Sequence, residues 1–179
     1  MNMKKKLFTI LTVMLVTMLT SSTAFAAGGL KFRSIELSPG GSLIVTGELT
    51  GLGSTDVTVV LEASGNAAII CTNNGSNDVP GQSYPNLTAT GSDVLPGDDP
   101  LRKNGRSPFE AHAEEPDTLP WDVAGCPSAN WTGRIAFILW TNATVSVYNT
   151  ATWELLLQQA FVCDPALQTA TTVSCTPVP

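Results

Sequence analysis

His112 is the only histidine of the 179-residue chain, and it stands in the run His112-Ala-Glu114-Glu115. Carboxylates gather along the chain in two places, Asp93, Asp98 and Asp99, then Glu110, Glu114, Glu115, Asp117 and Asp122. A histidine among carboxylates offers general acid–base chemistry, and two carboxyl groups about 5–10 Å apart are the apparatus of glycoside cleavage. The His-x-Glu spacing is that of zinc deaminases, but their companion Pro-Cys-x-x-Cys is absent. A serine nucleophile would need a Gly-x-Ser-x-Gly elbow, which residues 81–85 (Gly-Gln-Ser-Tyr-Pro) match only in part. Oxygen-rich loops can hold calcium, yet the Asp-x-Asp-x-Asp-Gly spacing does not occur. A solvated polar loop accounts for these residues, so no catalytic residue, metal ligand or cofactor is expected. An envelope or secreted hydrolase using the loop carboxylates is the enzymatic alternative.

The second kind of chemistry is aromatic stacking. The four tryptophans lie at 121, 131, 140 and 153. Trp140 and Trp153 fall on apolar strand patterns and are assigned to the core. Trp121 sits between Pro120 and Asp122 in a loop, where an indole stays exposed and can stack on a sugar ring. Trp121, with Tyr84 as a weaker companion, is therefore the expected ligand-binding pair, and a glycan is the ligand class it suggests.

Residues 1–26 have the parts of a secretory signal: Lys4, Lys5 and Lys6, an apolar stretch from Leu7 to Leu19, and Ala24-Phe25-Ala26 at the cleavage site. The expected domains are this signal (1–26), a β-sandwich (27–163) and a Thr/Pro-rich tail (164–179) pinned by a disulfide. No later segment reaches the roughly 20 apolar residues of a membrane-spanning helix. Cleavage removes three lysines and no acid, leaving six basic residues against fifteen acidic ones, a net charge of −9. Nucleic acid is excluded as a partner on that balance. Four cysteines in an exported chain are two disulfides, and three connectivities are open. Cys71–Cys126 with Cys163–Cys175 is the pairing expected.

The elements that must position these residues are strands. Residues 134–140 (Arg-Ile-Ala-Phe-Ile-Leu-Trp) are the most apolar run after the signal, and the pattern predicts a central strand covered on both faces. Leu30 to Leu37 alternates in two phases that a bulge near Arg33-Ser34 reconciles. Leu43, Val45 and Leu49, then Val57, Val59, Leu61 and Ala63, alternate with polar residues and predict two adjacent antiparallel strands. A turn at Gly65-Asn66 then leads to a third strand, Ala67 to Cys71, completing a meander. Eight of the twelve prolines fall between 72 and 128, so this region reads as loop with short strands at 87–91 and 107–113, the latter after an Asn104-Gly105 turn. Residues 131–140 and 143–147 can run on as one bent strand, and 152–162 reads as its hairpin partner.

Seven to eight short antiparallel strands with a long Pro/Gly/Asn-rich loop region predict an all-β, immunoglobulin-like or Greek-key β-sandwich, with a small β-barrel as the alternative. The stretches at 47–59 (Gly-Glu-Leu-Thr-Gly-Leu-Gly-Ser-Thr-Asp-Val-Thr-Val), 71–82 (Cys-Thr-Asn-Asn-Gly-Ser-Asn-Asp-Val-Pro-Gly-Gln) and 125–131 (Gly-Cys-Pro-Ser-Ala-Asn-Trp) resemble a family of small exported bacterial proteins of no assigned function. The resemblance covers roughly residues 43–162 and is consistent with pairing Cys71 and Cys126. The expected function is a secreted, non-catalytic protein with an extracellular binding or structural role, its partner an extracellular ligand or surface.

Overall fold

The computed structural model describes residues 29–39, 42–115, 118–169 and 172–179; the expected signal peptide and Asp117 lie outside them. Nine strands follow in order: β1 (Lys31–Pro39), β2 (Leu43–Thr50), β3 (Val57–Asn73), β4 (Asp78–Pro80), β5 (Tyr84–Leu95), β6 (Arg106–Ala113), β7 (Trp131–Asn149), β8 (Leu155–Cys163) and β9 (Cys175–Pro177). Among the described residues the one helical piece is a 3₁₀ turn, Pro165–Leu167, capped by the Asp164 carboxylate accepting from the Ala166 N–H at 2.9 Å.

β3 organises the molecule. Every odd-numbered residue from Val57 to Cys71 is buried, the period-2 signature of a strand with one face on a core. One edge of β3 pairs with β7 along its whole length, and the other pairs with β5 and then β4. The larger sheet continues from β7 to β8 and β9, and a second sheet has the order β1-β2-β6. All pairs are antiparallel. Leu43, Val45, Leu49, Phe109 and Ala111 of the small sheet pack on Val57, Val59, Leu61, Val145 and Val147 of the large one. The result is a β-sandwich with, among the described residues, seven strands of at least eight residues and two of three.

The sheets touch along one side. Glu114 donates its N–H to the Thr90 carbonyl, and the Asp93 carboxylate accepts from the Glu110 N–H. Gly91 makes the seam feasible, because a Cβ there would collide with the His112 carbonyl.

Several local expectations hold. β1 shifts register between Phe32 and Ser34, and Asn104 and Gly105 both take positive φ between the bridged Lys103 and Arg106. β7 is continuous, bent by bulges that leave Ala136 and Thr141 unpaired against β3. Both disulfides form as expected, Cys71–Cys126 and Cys163–Cys175.

Three expectations are corrected. β2 does not pair with β3: it lies between β1 and β6 in the other sheet, so the 51–56 connection crosses the core. Gly65-Asn66 is not a turn but an irregularity inside β3, as the unbroken odd-numbered burial on either side of it requires. Residues 134–140 are not the central, doubly covered strand. β8 pairs with β7 only from Asn142 to Tyr148, which leaves Ala136 exposed and Phe137 55% exposed.

Candidate functional site

The two residues of the sequence-predicted ligand pair, Trp121 and Tyr84, make no ring contact with each other. Trp121 is 41% exposed, as expected of it, in a turn where its carbonyl accepts from the Cys126 N–H at 2.7 Å. Tyr84 pairs with Ala67 at the start of β5 and packs, half-buried, on a second apolar cluster of Ile69, Cys71, Leu87, Leu119 and Cys126. The two ring contacts among the described residues are Phe32–Phe109 and Tyr148–Trp153; neither involves Trp121 or Tyr84. Tyr84 serves that cluster, which the Cys71–Cys126 bridge closes.

His112 does meet a carboxylate, though not Glu114 or Glu115. Its Nε2 lies 2.7 Å from Glu110 Oε1 two positions away on β6, both side chains exposed. Three of the other acids bond backbone N–H groups. Asp56 accepts from the Gly97 N–H, Asp99 from Leu101 and Asp93 from Glu110. Among the described residues no three His, Cys, Asp or Glu side chains converge as a metal site. Asp78 is a titratable group the fold perturbs: the Thr72 hydroxyl, then the Arg134 guanidinium at 3.0 Å, hold its carboxyl below the usual range.

The surface that gathers chemistry is the outer face of the large sheet. Directly paired residues share a face, so the register aligns four rows across β5, β3, β7 and β8. The first is Thr88, Ser64, Asn142 and Val162; the second is Thr90, Glu62, Thr144 and Ala160. The third is Ser92, Val60, Ser146 and Gln158, with Gln158 donating to the Ser146 hydroxyl at 3.0 Å. The fourth is Val94, Thr58, Tyr148 and Leu155. The short side chains of the first two rows leave a groove of about 390 Å³ lined by Glu62, Ser64, Thr88, Thr90, Asn142 and Thr144.

Aromatic rings stand at the other end of this face. Trp153 is 62% exposed and lies 5.8 Å from the Tyr148 ring, tilted by 51°. This overturns its assignment to the core. Trp153 sits at φ +56° inside the β7–β8 turn rather than on a strand. The turn is tightly bonded: Trp153 N–H donates to Asn149 O at 2.8 Å, Asn149 N–H to Glu154 O at 2.9 Å, and the Asn149 side chain accepts from Ala151 and Thr152. Thr150 is tied to Asp56 O and to the Thr58 hydroxyl. A fixed turn therefore holds an indole out at the edge of the polar face. The sequence signal was available in Asn149-Thr-Ala-Thr-Trp153, a polar loop that places this tryptophan before the strand begins.

A second groove, about 540 Å³ and largely apolar, runs along the far edge of β7 beside Ala136, Phe137, Ile138, Leu139 and Val173. Leu119 bonds Gly133 at one end of this edge. At the other the Gln168 carboxamide bonds both the N–H and the carbonyl of Trp140, acting as a one-residue strand. Between them, on the edge opposite β3, no strand lies beside 134–139 among the described residues.

The fold and these surfaces define a disulfide-bonded, two-sheet β-sandwich with a polar sheet face and an exposed tryptophan beside a half-buried tyrosine. No protein-family model, curated protein or solved structure matches the chain.

Proposed function

We propose that the protein is secreted and binds a ligand outside the cell without transforming it, using the outer face of the large sheet. The observation that carries this reading is the four-row face itself, in which short hydroxyl and amide side chains form a groove across β5, β3 and β7, of which β3 and β7 are paired on both sides. Such a platform is held by backbone ladders, so its side chains are pre-positioned and little ordering is lost on contact. Two disulfides support an oxidising compartment, as the signal-like first 26 residues do.

The enzymatic reading keeps one specific support, the 2.7 Å contact between His112 and Glu110, a carboxylate–imidazole pair of the sort that moves protons. The two readings separate on incubating the purified protein with polysaccharide, peptide and ester substrates and analysing both association and products. Association without products is expected. Turnover that disappears in His112→Ala or Glu110→Gln would overturn the binding reading, as would turnover lost with Glu114→Gln or Glu115→Gln.

A further inference from the structure

We propose that the outer face of the large sheet is a site for a neutral carbohydrate chain, lying from the Tyr148–Trp153 rings to the Glu62–Asn142 groove; this rests on the binding reading above. The chemistry of the face selects the ligand. The inner strands β3 and β7 are paired on both sides in the ladders β5–β3–β7–β8, so an extended peptide, which binds by adding a strand to an open edge, gains no main-chain hydrogen bonds by lying on their face. What the face offers is side chains: Ser64, Thr88, Thr90 and Thr144 hydroxyls and the Asn142 carboxamide, each both donor and acceptor, and the acceptor-only Glu62 carboxylate. Sugar hydroxyls are likewise donor and acceptor at every position.

Charge narrows the class further. The sixteen residues of the four rows include no lysine or arginine, and Glu62 is their only ionisable acid. A phosphate, a nucleic acid or an acidic glycan would meet a carboxylate with no cation to offset it, in a molecule already strongly negative. A neutral glycan meets no such penalty. The aromatic end supplies the apolar part: an exposed indole held by its turn against Tyr148 can stack on the C–H face of a sugar ring. Tyr148 and Asn142 stand six positions apart on β7, about 20 Å at the rise of a strand, a length for an oligosaccharide rather than a single sugar.

Affinity electrophoresis of the purified full chain through gels containing a soluble β-glucan, a xylan, a mannan, an α-glucan or, as the acidic arm, alginate tests the proposal. Retardation by at least one neutral polysaccharide and not by alginate is expected. Trp153→Ala should weaken it about tenfold, the loss of one stacked ring. Thr144→Arg, which fills the groove from an exposed row without touching the turn, should abolish it. Trp121→Ala should leave it unchanged, and thermal melts of each variant show that the fold is retained. Retardation by no neutral polysaccharide overturns the carbohydrate assignment and leaves ligand binding as such to the product analysis above. Retardation that survives both Trp153→Ala and Thr144→Arg overturns this face as the site while the binding reading stands.

Discussion

Arg102 replaces a piece of secondary structure with one side chain. Its guanidinium donates to the carbonyls of Gly53 and Thr55 at 3.3 and 2.9 Å and to that of Leu95 at 3.1 Å. The crossing between the sheets at 51–56 is thereby tied to the end of β5, beside the Asp56 carboxylate that accepts from Gly97. The planar fork suits three acceptors on two segments, which a lysine ammonium cannot reproduce. Arg102→Lys and Arg102→Ala should each lower stability, by about 1–3 kcal/mol for the alanine variant, with lysine recovering part of the loss; urea denaturation measures both. Asp78 gives a pH-dependent counterpart. Its carboxyl accepts from Thr72 and Arg134, so the charged form is favoured in the folded state and the pKa lies below its unfolded value. The contribution to stability is then complete above the unfolded pKa, near 3.8, and is lost as pH falls through the lowered folded value. Carbon-detected NMR titration should find the Asp78 carboxyl below its unfolded value, and Arg134→Gln should raise it; an unchanged midpoint would remove the arginine from the account.

At the scale of elements, alternation was legible wherever one face is buried, and β3 is the clearest case because its odd-numbered positions stay buried through Gly65. What alternation does not encode is which sheet a strand joins. β2 and β3 are neighbours in the chain with matched patterns, yet a core of Leu43, Val45, Val57 and Val59 lies between them instead of a hydrogen-bonded ladder. The proposed aromatic site was illegible for a related reason. Its rings and polar rows come from β5, β3, β7 and β8, which converge only through long-range register, whereas Trp121 and Tyr84 were chosen by local loop context. Residues 134–140 show the reverse error, since apolar composition there marks an edge that, among the described residues, no second strand pairs, and not a centre. Edge strands are ordinarily blunted by charge, proline or cover, and the one charge in this run, Arg134, is engaged with Asp78. Phe137→Lys, at an exposed position, should therefore raise the concentration at which the protein stays monodisperse in light scattering without lowering its melting temperature. Scattering identical to that of the parent protein would show that this edge is not a route to association.

For the molecule as a whole, the two disulfides act on different parts of the core. Cys163–Cys175 joins directly opposed residues of β8 and β9 across 12 positions and pins the tail to the sheet. Cys71–Cys126 spans 55 positions and joins fully buried Cys71 of β3 to the loop that carries Trp121. Loop-closure entropy alone ranks them at about 4 kcal/mol for the longer loop and about 3 for the shorter. Packing widens the gap, because Ala67, Ile69, Leu87, Leu119 and Ala124 surround the first bridge in a cluster of their own. Those contacts exist only while the 119–126 segment stays docked, held otherwise by the Leu119–Gly133 bonds and by Gln82 N–H on Ala124 O. The paired variant Cys71→Ala/Cys126→Ala should lose more stability in urea than Cys163→Ala/Cys175→Ala, and limited proteolysis should cut it within 114–130, whereas the second pair should be cut between 164 and 175. Equal losses, with no new cleavage in 114–130, would mean that packing alone docks the proline-rich excursion and that its bridge is dispensable to the native state. The outer face of the large sheet is built on the half of β3 remote from Cys71, so neutral-glycan retardation should survive in both paired variants under conditions where they remain folded.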